Sequence, residues 1–412
     1  MKFTFLGGSG KIGSTALLLE TEDFKSIFDY GMTPSTPPTF PLIPPPIDYI
    51  FLSHAHLDHC GMIPTLTKSY DIPFFTSQMT YLLAQILLRD NIKISEIEGY
   101  TIPYSKVDLQ SLDENLYHIT DGSVFALNNA ELNVHTAGHI PGAVMFGIRF
   151  DSGQDLLFTG DINTINTRLV SGTKGRKCDI LVMESTYAGR NHKLRQKIEY
   201  KFLENVKQVI ERGGTAIVPA FAVGRSQEML LILEELIDDY DVWFDGLGKD
   251  VTKLFFKEPG FITNEKKLKK LFMKIHKVRT NSHRTKALGG DIILTTSGML
   301  DGGPVLNYIN RLKDNPKNAI LLTGYQVDDS NGRRLLEKGE LNIYGTVEKI
   351  KLDVEHYDFS AHAGHKELVE FAHQCDPEHI ILFHGENREA LAQELADDYE
   401  VHLPNNGETL EI

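Results

Sequence analysis

Cysteine is scarce. The 412 residues include three, Cys60, Cys178 and Cys375, and no Cys-x-x-Cys pair. A disulfide framework is therefore not expected; each thiol reads as a small buried hydrophobe, and the chain as intracellular. Long apolar runs are missing too. No segment approaches the roughly 18 uninterrupted apolar residues a membrane span needs, so no membrane partner is expected. The opening Met1-Lys2-Phe3-Thr4-Phe5-Leu6-Gly7 turns glycine-rich too soon for a signal peptide and reads as a first strand. Positive charge is in deficit: 42 Lys and Arg stand against 56 Asp and Glu, a net charge of −14. Taken alone, that disfavours a polyanion partner. The total hides one concentration. Between Lys266 and Lys286 nine Lys and Arg stand with no acid among them, either a solvated helix face or a polyanion track.

Hydrophobic residues make up 41%, enough for a sizeable core, and the length suggests two or three domains. Residues 34–46 hold seven of the 17 prolines and read as an extended surface loop, because proline cannot serve a central strand. The first half is rich in short strands, at 2–6, 15–20, 26–29, 48–52, 115–119, 123–127, 131–135, 144–150, 155–159 and 179–183, with helices at 60–68 and 77–90. From about 190 the elements alternate: helix 193–211, strand 215–218, helix 225–238, strand 242–245, and strands 291–295 and 319–323. That rhythm is the one of a parallel α/β unit. A strand at 348–354, helix 364–373, strand 379–383, helix 387–396 and two short strands follow.

The densest chemistry is Ser53-His54-Ala55-His56-Leu57-Asp58-His59, three imidazoles and a carboxylate directly after the apolar run 47–52. Neutral imidazole and carboxylate are ligands that Zn²⁺ prefers. Alternate side chains point the same way where a strand runs out into a loop. His54 and His56 can thus face one metal while Asp58 and His59 reach a second. Asp29, His139, Asp161 and His384 follow other apolar strands in the same manner. Gly7-Gly8-Ser9-Gly10-Lys11 lacks the spacing of a phosphate loop, with Phe5 at the first glycine position and Ile12 after the lysine, and reads as a tight turn. The remaining histidines, among them His118, His192, His276 and His373, read as ordinary core or surface residues.

In this order, Asp29, His54-x-His56-x-Asp58-His59, His139 and Asp161 resemble the metal-binding motifs of the metallo-β-lactamase superfamily. Met183-Glu184-Ser185-Thr186-Tyr187, Phe359-Ser360-Ala361-His362 and Phe383-His384-Gly385-Glu386 resemble motifs A, B and C of its β-CASP branch. Pro219-Ala220-Phe221-Ala222-Val223-Gly224-Arg225, Thr296-Ser297-Gly298-Met299-Leu300 and Gly324-Tyr325-Gln326 match further signatures of that branch. The chain is similar to archaeal and bacterial nucleases akin to the cleavage and polyadenylation specificity factor. The resemblance implies an α/β fold: an αββα metallo-β-lactamase sandwich from residues 1–186 and 347–412, with a parallel α/β β-CASP domain inserted at 187–346 and capping the metal edge.

The same resemblance implies two zinc ions. His54, His56 and His139 would hold the first, Asp58, His59 and His384 the second, with Asp161 bridging and Asp29 orienting a ligand imidazole. His362 would protonate the leaving ribose oxygen, and Glu184 would orient His362. Arg225, Ser297 and Arg333 are candidates for substrate phosphate, with structural capping as the alternative for each. The implied activity is a cytoplasmic ribonuclease that cuts single-stranded RNA with a metal-activated hydroxide, leaving 5′-phosphate and 3′-hydroxyl ends. Endonuclease and 5′→3′ exonuclease modes both stay open, and the 266–286 stretch becomes a candidate RNA track. Two other readings remain: a small-molecule hydrolase on the same centre, and a catalytically silent RNA-binding scaffold. Similar proteins are often homodimers.

Overall fold

A computed structural model describes all residues except Pro34, Thr36, Ser69, Tyr70 and Asp329, so the first proline of the 34–46 loop lies outside the described residues. The chain divides into two compact units. The first comprises Met1–Asn166, Ser171–Asn191 and Ala361–Ile412; the second comprises Thr167–Val170 and His192–Ser360. Among the described residues no helix is long and apolar enough to cross a membrane.

Two seven-stranded sheets build the first unit. One runs, in spatial order, Thr409–Glu411, Lys2–Gly7, Ala16–Glu20, Lys25–Phe28, Tyr49–Phe51, Phe74–Ser77, Leu116–Ile119. The other runs Glu400–His402, His379–Phe383, Ile180–Glu184, Asp155–Phe158, Val144–Phe150, Ala130–Thr136, Val124–Leu127. Their inner faces share one apolar core, in which the Phe28 and Phe158 rings stack at 4.8 Å between centroids and Phe51 meets Phe146 at 5.4 Å. Truncating such a buried ring to alanine costs roughly 3–5 kcal/mol. Helices Gln78–Glu98 and Arg388–Leu395 pack against strands Phe74–Ser77 and His379–Phe383 respectively, as an αββα sandwich requires.

Strand direction places the chemistry. Lys25–Phe28, Tyr49–Phe51 and Phe74–Ser77 are parallel in the first sheet, and Asp155–Phe158, Ile180–Glu184 and His379–Phe383 in the second. Parallel strands release their following loops at one edge, where open α/β sheets hold ligands. Asp29, His54, Asp161, Glu184 and His384 all stand at such carboxyl ends. The Gly7–Lys11 run is the turn after the first strand, and its Gly8 carbonyl accepts the His384 N–H at 2.9 Å.

The second unit holds a six-stranded sheet in the order His276–Lys277, Val242–Asp245, Ile292–Thr295, Ala216–Pro219, Ala319–Leu322, Asp353–His356, parallel throughout. This corrects the expected strand at 348–354. Thr346–Lys349 closes a hairpin with Glu340–Ile343, and Asp353–His356 pairs with Ala319–Leu322. That last pairing belongs to the second unit's sheet, and the unit runs on to Ser360. The expected helix 60–68 is two short pieces, Leu57–Cys60 and Ile63–Thr67, so Asp58 and His59 sit on a helical turn. Strand Phe74–Ser77 was not anticipated, and helix Gln78–Glu98 runs past 90 to Gly99, whose φ of 77° ends it. The expected helix 225–238 stops at Ile232 and continues as a 3₁₀ turn. Cys178 and Cys375, far apart in sequence, are neighbours: the Cys178 N–H donates to the Cys375 carbonyl at 3.3 Å, and all three thiols are free and buried.

Candidate metal centre

The His54–His59 segment leaves strand Tyr49–Phe51 extended and turns at Leu57. Backbone hydrogen bonds pin the turn from both sides. Thr15 N–H donates to Asp58 O at 2.8 Å, Tyr30 N–H to His59 O at 2.8 Å and Met32 N–H to Leu57 O at 2.9 Å. Gly31 lies in this clamp, where a Cβ would stand 1.8 Å from the Asp58 carbonyl oxygen. Gly31→Ala should therefore displace the turn, at a cost of roughly 1–3 kcal/mol for the overpacking. Thermal unfolding and bound-metal content check this; wild-type values for both would contradict it.

Two groups of donor atoms meet at Asp161. Around its Oδ2 stand His54 Nε2 at 3.4 Å and His139 Nε2 at 3.6 Å, and His56 Nδ1 lies 3.2 Å from each of those two nitrogens. Around its Oδ1 stand His59 Nε2 at 3.4 Å and His384 Nε2 at 3.6 Å, with Asp58 Oδ2 3.9 and 3.7 Å from them. In a tetrahedron with arms of 2.0–2.1 Å, donor atoms lie about 3.3–3.4 Å apart. Both groups approach that spacing.

The far nitrogens are tied down, which fixes each ring's tautomer and aim. His59 Nδ1 donates to Asp29 Oδ2 at 2.7 Å, His139 Nδ1 to the Ala361 carbonyl at 2.8 Å, and His384 Nδ1 to Thr15 Oγ1 at 2.8 Å. His54 Nδ1 meets Ser53 Oγ at 3.0 Å, and that hydroxyl donates to Asp29 at 2.8 Å. Asp29 and His384 hold left-handed backbone, φ 56° and 53°, at a cost of order 1–3 kcal/mol that the surrounding contacts must offset. Sequence reasoning assigned Asp29 its place but gave none to Ser53, Thr15 or the Ala361 carbonyl.

The electrostatics fit a bound cation. Burial, aided by neighbouring imidazoles, holds His54 and His139 well below the ordinary histidine value, and burial lowers His56 and His384 as well. All four are thus neutral, the form that binds metal. His59 differs: burial pulls it down, but Asp161, Asp29 and Asp58 prevail and raise it well above. Burial would raise Asp161, yet His59, His384 and His362 hold it well below the carboxylate range. His59 Nε2 and Asp161 Oδ1 are buried without a hydrogen-bond partner. With the His59 proton on Nδ1 toward Asp29, its Nε2 turns a lone pair toward the Asp161 oxygen; two such acceptors facing each other call for positive charge between them, and the residues present suit a divalent cation.

Beside this cluster, His362 Nδ1 lies 3.1 Å from both carboxylate oxygens of Glu184, and its Nε2 stands 3.8 Å from Asp161 Oδ2. Glu184 is fully buried and accepts the Ile162 N–H at 2.8 Å, so it cannot swing away. Burial lowers the His362 pKa, but the charges of Glu184 and Asp161 outweigh it and push it up to about 9.

Comparison with known proteins decides the family. The Metallo-beta-lactamase superfamily model matches residues 10–187, the Beta-Casp domain 226–335, and the Zn-dependent metallo-hydrolase RNA specificity domain 347–404. "Probable RNase MJ4" of Methanocaldococcus jannaschii is 35% identical over the whole of both chains. The chain belongs to the β-CASP branch of the metallo-β-lactamase superfamily. "RNase aCSPSF2" of Saccharolobus solfataricus is 33% identical over 99% of this chain and 84% of that one. "Transcription termination factor FttA" of M. jannaschii is 30% identical over 95% and 68%. A crystal structure of a protein of unknown function from Enterococcus faecalis V583 shares the fold, with TM-score 0.62 over 99% of each chain at 15% identity.

The β-CASP signatures Pro219–Arg225, Thr296–Leu300 and Gly324–Gln326 gather at the carboxyl edge of the second unit's sheet, where Gln326 Nε2 donates to Gly298 O at 3.1 Å and Gly324 O at 2.9 Å. The candidate phosphate contacts differ in what they already touch. Arg225 is buried and pairs with Glu228; Arg333 pairs with Glu337 at 2.6 Å; Ser297 Oγ is buried without a hydrogen-bond partner. In the basic stretch, Lys267 reaches Glu234 at 2.9 Å and Arg284 reaches Asp245 at 2.6 Å, whereas Lys266, Lys269, Lys270, Arg279 and Lys286 are exposed.

Proposed function

We propose that this β-CASP protein is a zinc-dependent ribonuclease with a two-zinc centre, hydrolysing RNA to 5′-phosphate and 3′-hydroxyl ends. The observation that carries the reading is Asp161, which offers one carboxylate oxygen to each of two groups of ligands. His54, His56 and His139 would hold one ion and Asp58, His59 and His384 the other. Two bound zinc ions supply an activated hydroxide and draw charge from the scissile phosphate. The chain's own groups do the rest. The Ser53–Asp29 pair and Thr15 keep the imidazoles aimed. Glu184 keeps His362 charged and oriented, and His362 holds a proton at Nε2, ready for a departing ribose 3′-oxygen. Relatives named as RNases, and the RNA specificity domain over residues 347–404, support RNA as the substrate. All seven ligand side chains are present together, which speaks against a silent scaffold. The reading extends to single-stranded RNA, and the buried free thiols are in keeping with the cytoplasm.

End-labelled RNA of defined sequence, with and without a 5′-monophosphate, tests it. Cleavage abolished by chelation and restored by Zn²⁺, with 5′-phosphate products, is expected. Cyclic 2′,3′-phosphate ends would overturn the mechanism, and equal cutting of fully paired RNA would overturn the single-strand preference.

A further inference from the structure

At the edge of the second sheet of the first unit, outside the two groups of donors around Asp161, His379 and the pair Glu400 and His402 lie on adjacent parallel strands, with His379 in register with Glu400 and Ile381 with His402. We propose that His379, Glu400 and His402 form a separate site for one divalent transition-metal cation, zinc being the natural occupant.

The donor atoms are already gathered. His402 Nε2 lies 3.3 Å from His379 Nδ1; Glu400 Oε2 lies 3.3 Å from His379 Nδ1 and its Oε1 lies 3.7 Å from His402 Nε2. These separations approach the edges of the same tetrahedron, about 3.3–3.4 Å for arms of 2.0–2.1 Å. Proton bookkeeping points the same way. Two ring nitrogens and two carboxylate oxygens converge, and each neutral ring can turn either its proton or its lone pair toward that point. With both lone pairs turned inward, a cation meets all four donor atoms at once. Burial and the neighbouring His379 lower the His402 pKa against the pull of Glu400, which favours the neutral ligating form. Two imidazoles with one carboxylate suit zinc or copper and suit magnesium or calcium poorly.

The two strands explain what the cation would do. Glu400–His402 is a three-residue edge strand, and its neighbour in the sheet, His379–Phe383, leads directly into His384. A cation here would clip the edge strand to the strand that delivers a ligand of the main centre.

The test uses the zinc-loaded enzyme, titrated with Zn²⁺ alone in equilibrium dialysis. Wild type should take up one more zinc per chain than the His379→Asn/His402→Asn double variant, and Glu400→Gln should weaken that uptake tenfold or more. Cu²⁺ added to the zinc enzyme should give an electron paramagnetic resonance spectrum split by two imidazole nitrogens, lost in the double variant. RNA cleavage is not the readout, so the result stands apart from the ribonuclease reading. Equal uptake and identical copper spectra in wild type and double variant would overturn the site. Should the double variant fail to fold, unchanged zinc affinity in Glu400→Gln, whose side chain is exposed, would overturn it alone.

Discussion

His362→Ala is expected to lower RNA turnover by roughly 10²–10⁴-fold, the usual worth of a positioned general acid, with zinc content nearly intact. His362 contributes no atom to either group of ligands, and its Nδ1 is committed to Glu184. His384→Ala should lose zinc as well as activity, because its Nε2 stands among the donors around Asp161 Oδ1. Single-turnover kinetics beside elemental analysis separates the two; equal zinc loss in both variants would contradict the division of roles. The pH profile carries a second signature. An acid works while protonated, so activity should fall as pH rises through the His362 pKa, which the carboxylates push up to about 9. Bound cations would neutralise Asp161 and Asp58 and leave Glu184 as the main support. Glu184→Gln should therefore move the alkaline limb to lower pH. A limb that does not move would remove Glu184 from this role.

Asp161→Asn should be the more damaging change to the centre itself. It keeps the side chain's size and removes the charge that both groups of ligands surround. Mutating groups that merely support a ligand costs 10–100-fold in metal affinity, so a ligand shared by two ions should cost more than roughly 100-fold. On the proposed two-zinc centre, zinc content is expected to fall to below one per chain, with cleavage below detection. Two tightly held zinc ions in Asp161→Asn would rule out the shared carboxylate.

The groups that gather at Asp161 were legible as candidates because they are chemically unusual where they stand: imidazoles and carboxylates at the ends of apolar strands. The partners on the far side of each ring were not. Thr15 and the Ala361 carbonyl are ordinary groups, brought to His384 and His139 only by the fold. The same holds for His379 and His402, which meet through parallel pairing of strands separated by a helix. Strand Phe74–Ser77 escaped because Pro73 and the helix start at Gln78 leave only four residues with no room for a pattern. The strand expected at 348–354 was misread for a related reason. Residues 346–356 carry two short strands with different partners, and a single run of apolar and charged residues does not say where one pairing stops.

Strands Ile180–Glu184 and His379–Phe383 are neighbours paired along their whole length, from Ile180 with His379 to Glu184 with Phe383. The chain thus leaves the sheet at Glu184 and returns at His379, opposite Ile180, as the next strand of the same sheet. A detour that leaves from one strand and returns to its neighbour can lengthen or shorten without moving Glu184 or His384, because both are held by the pairing of those two strands.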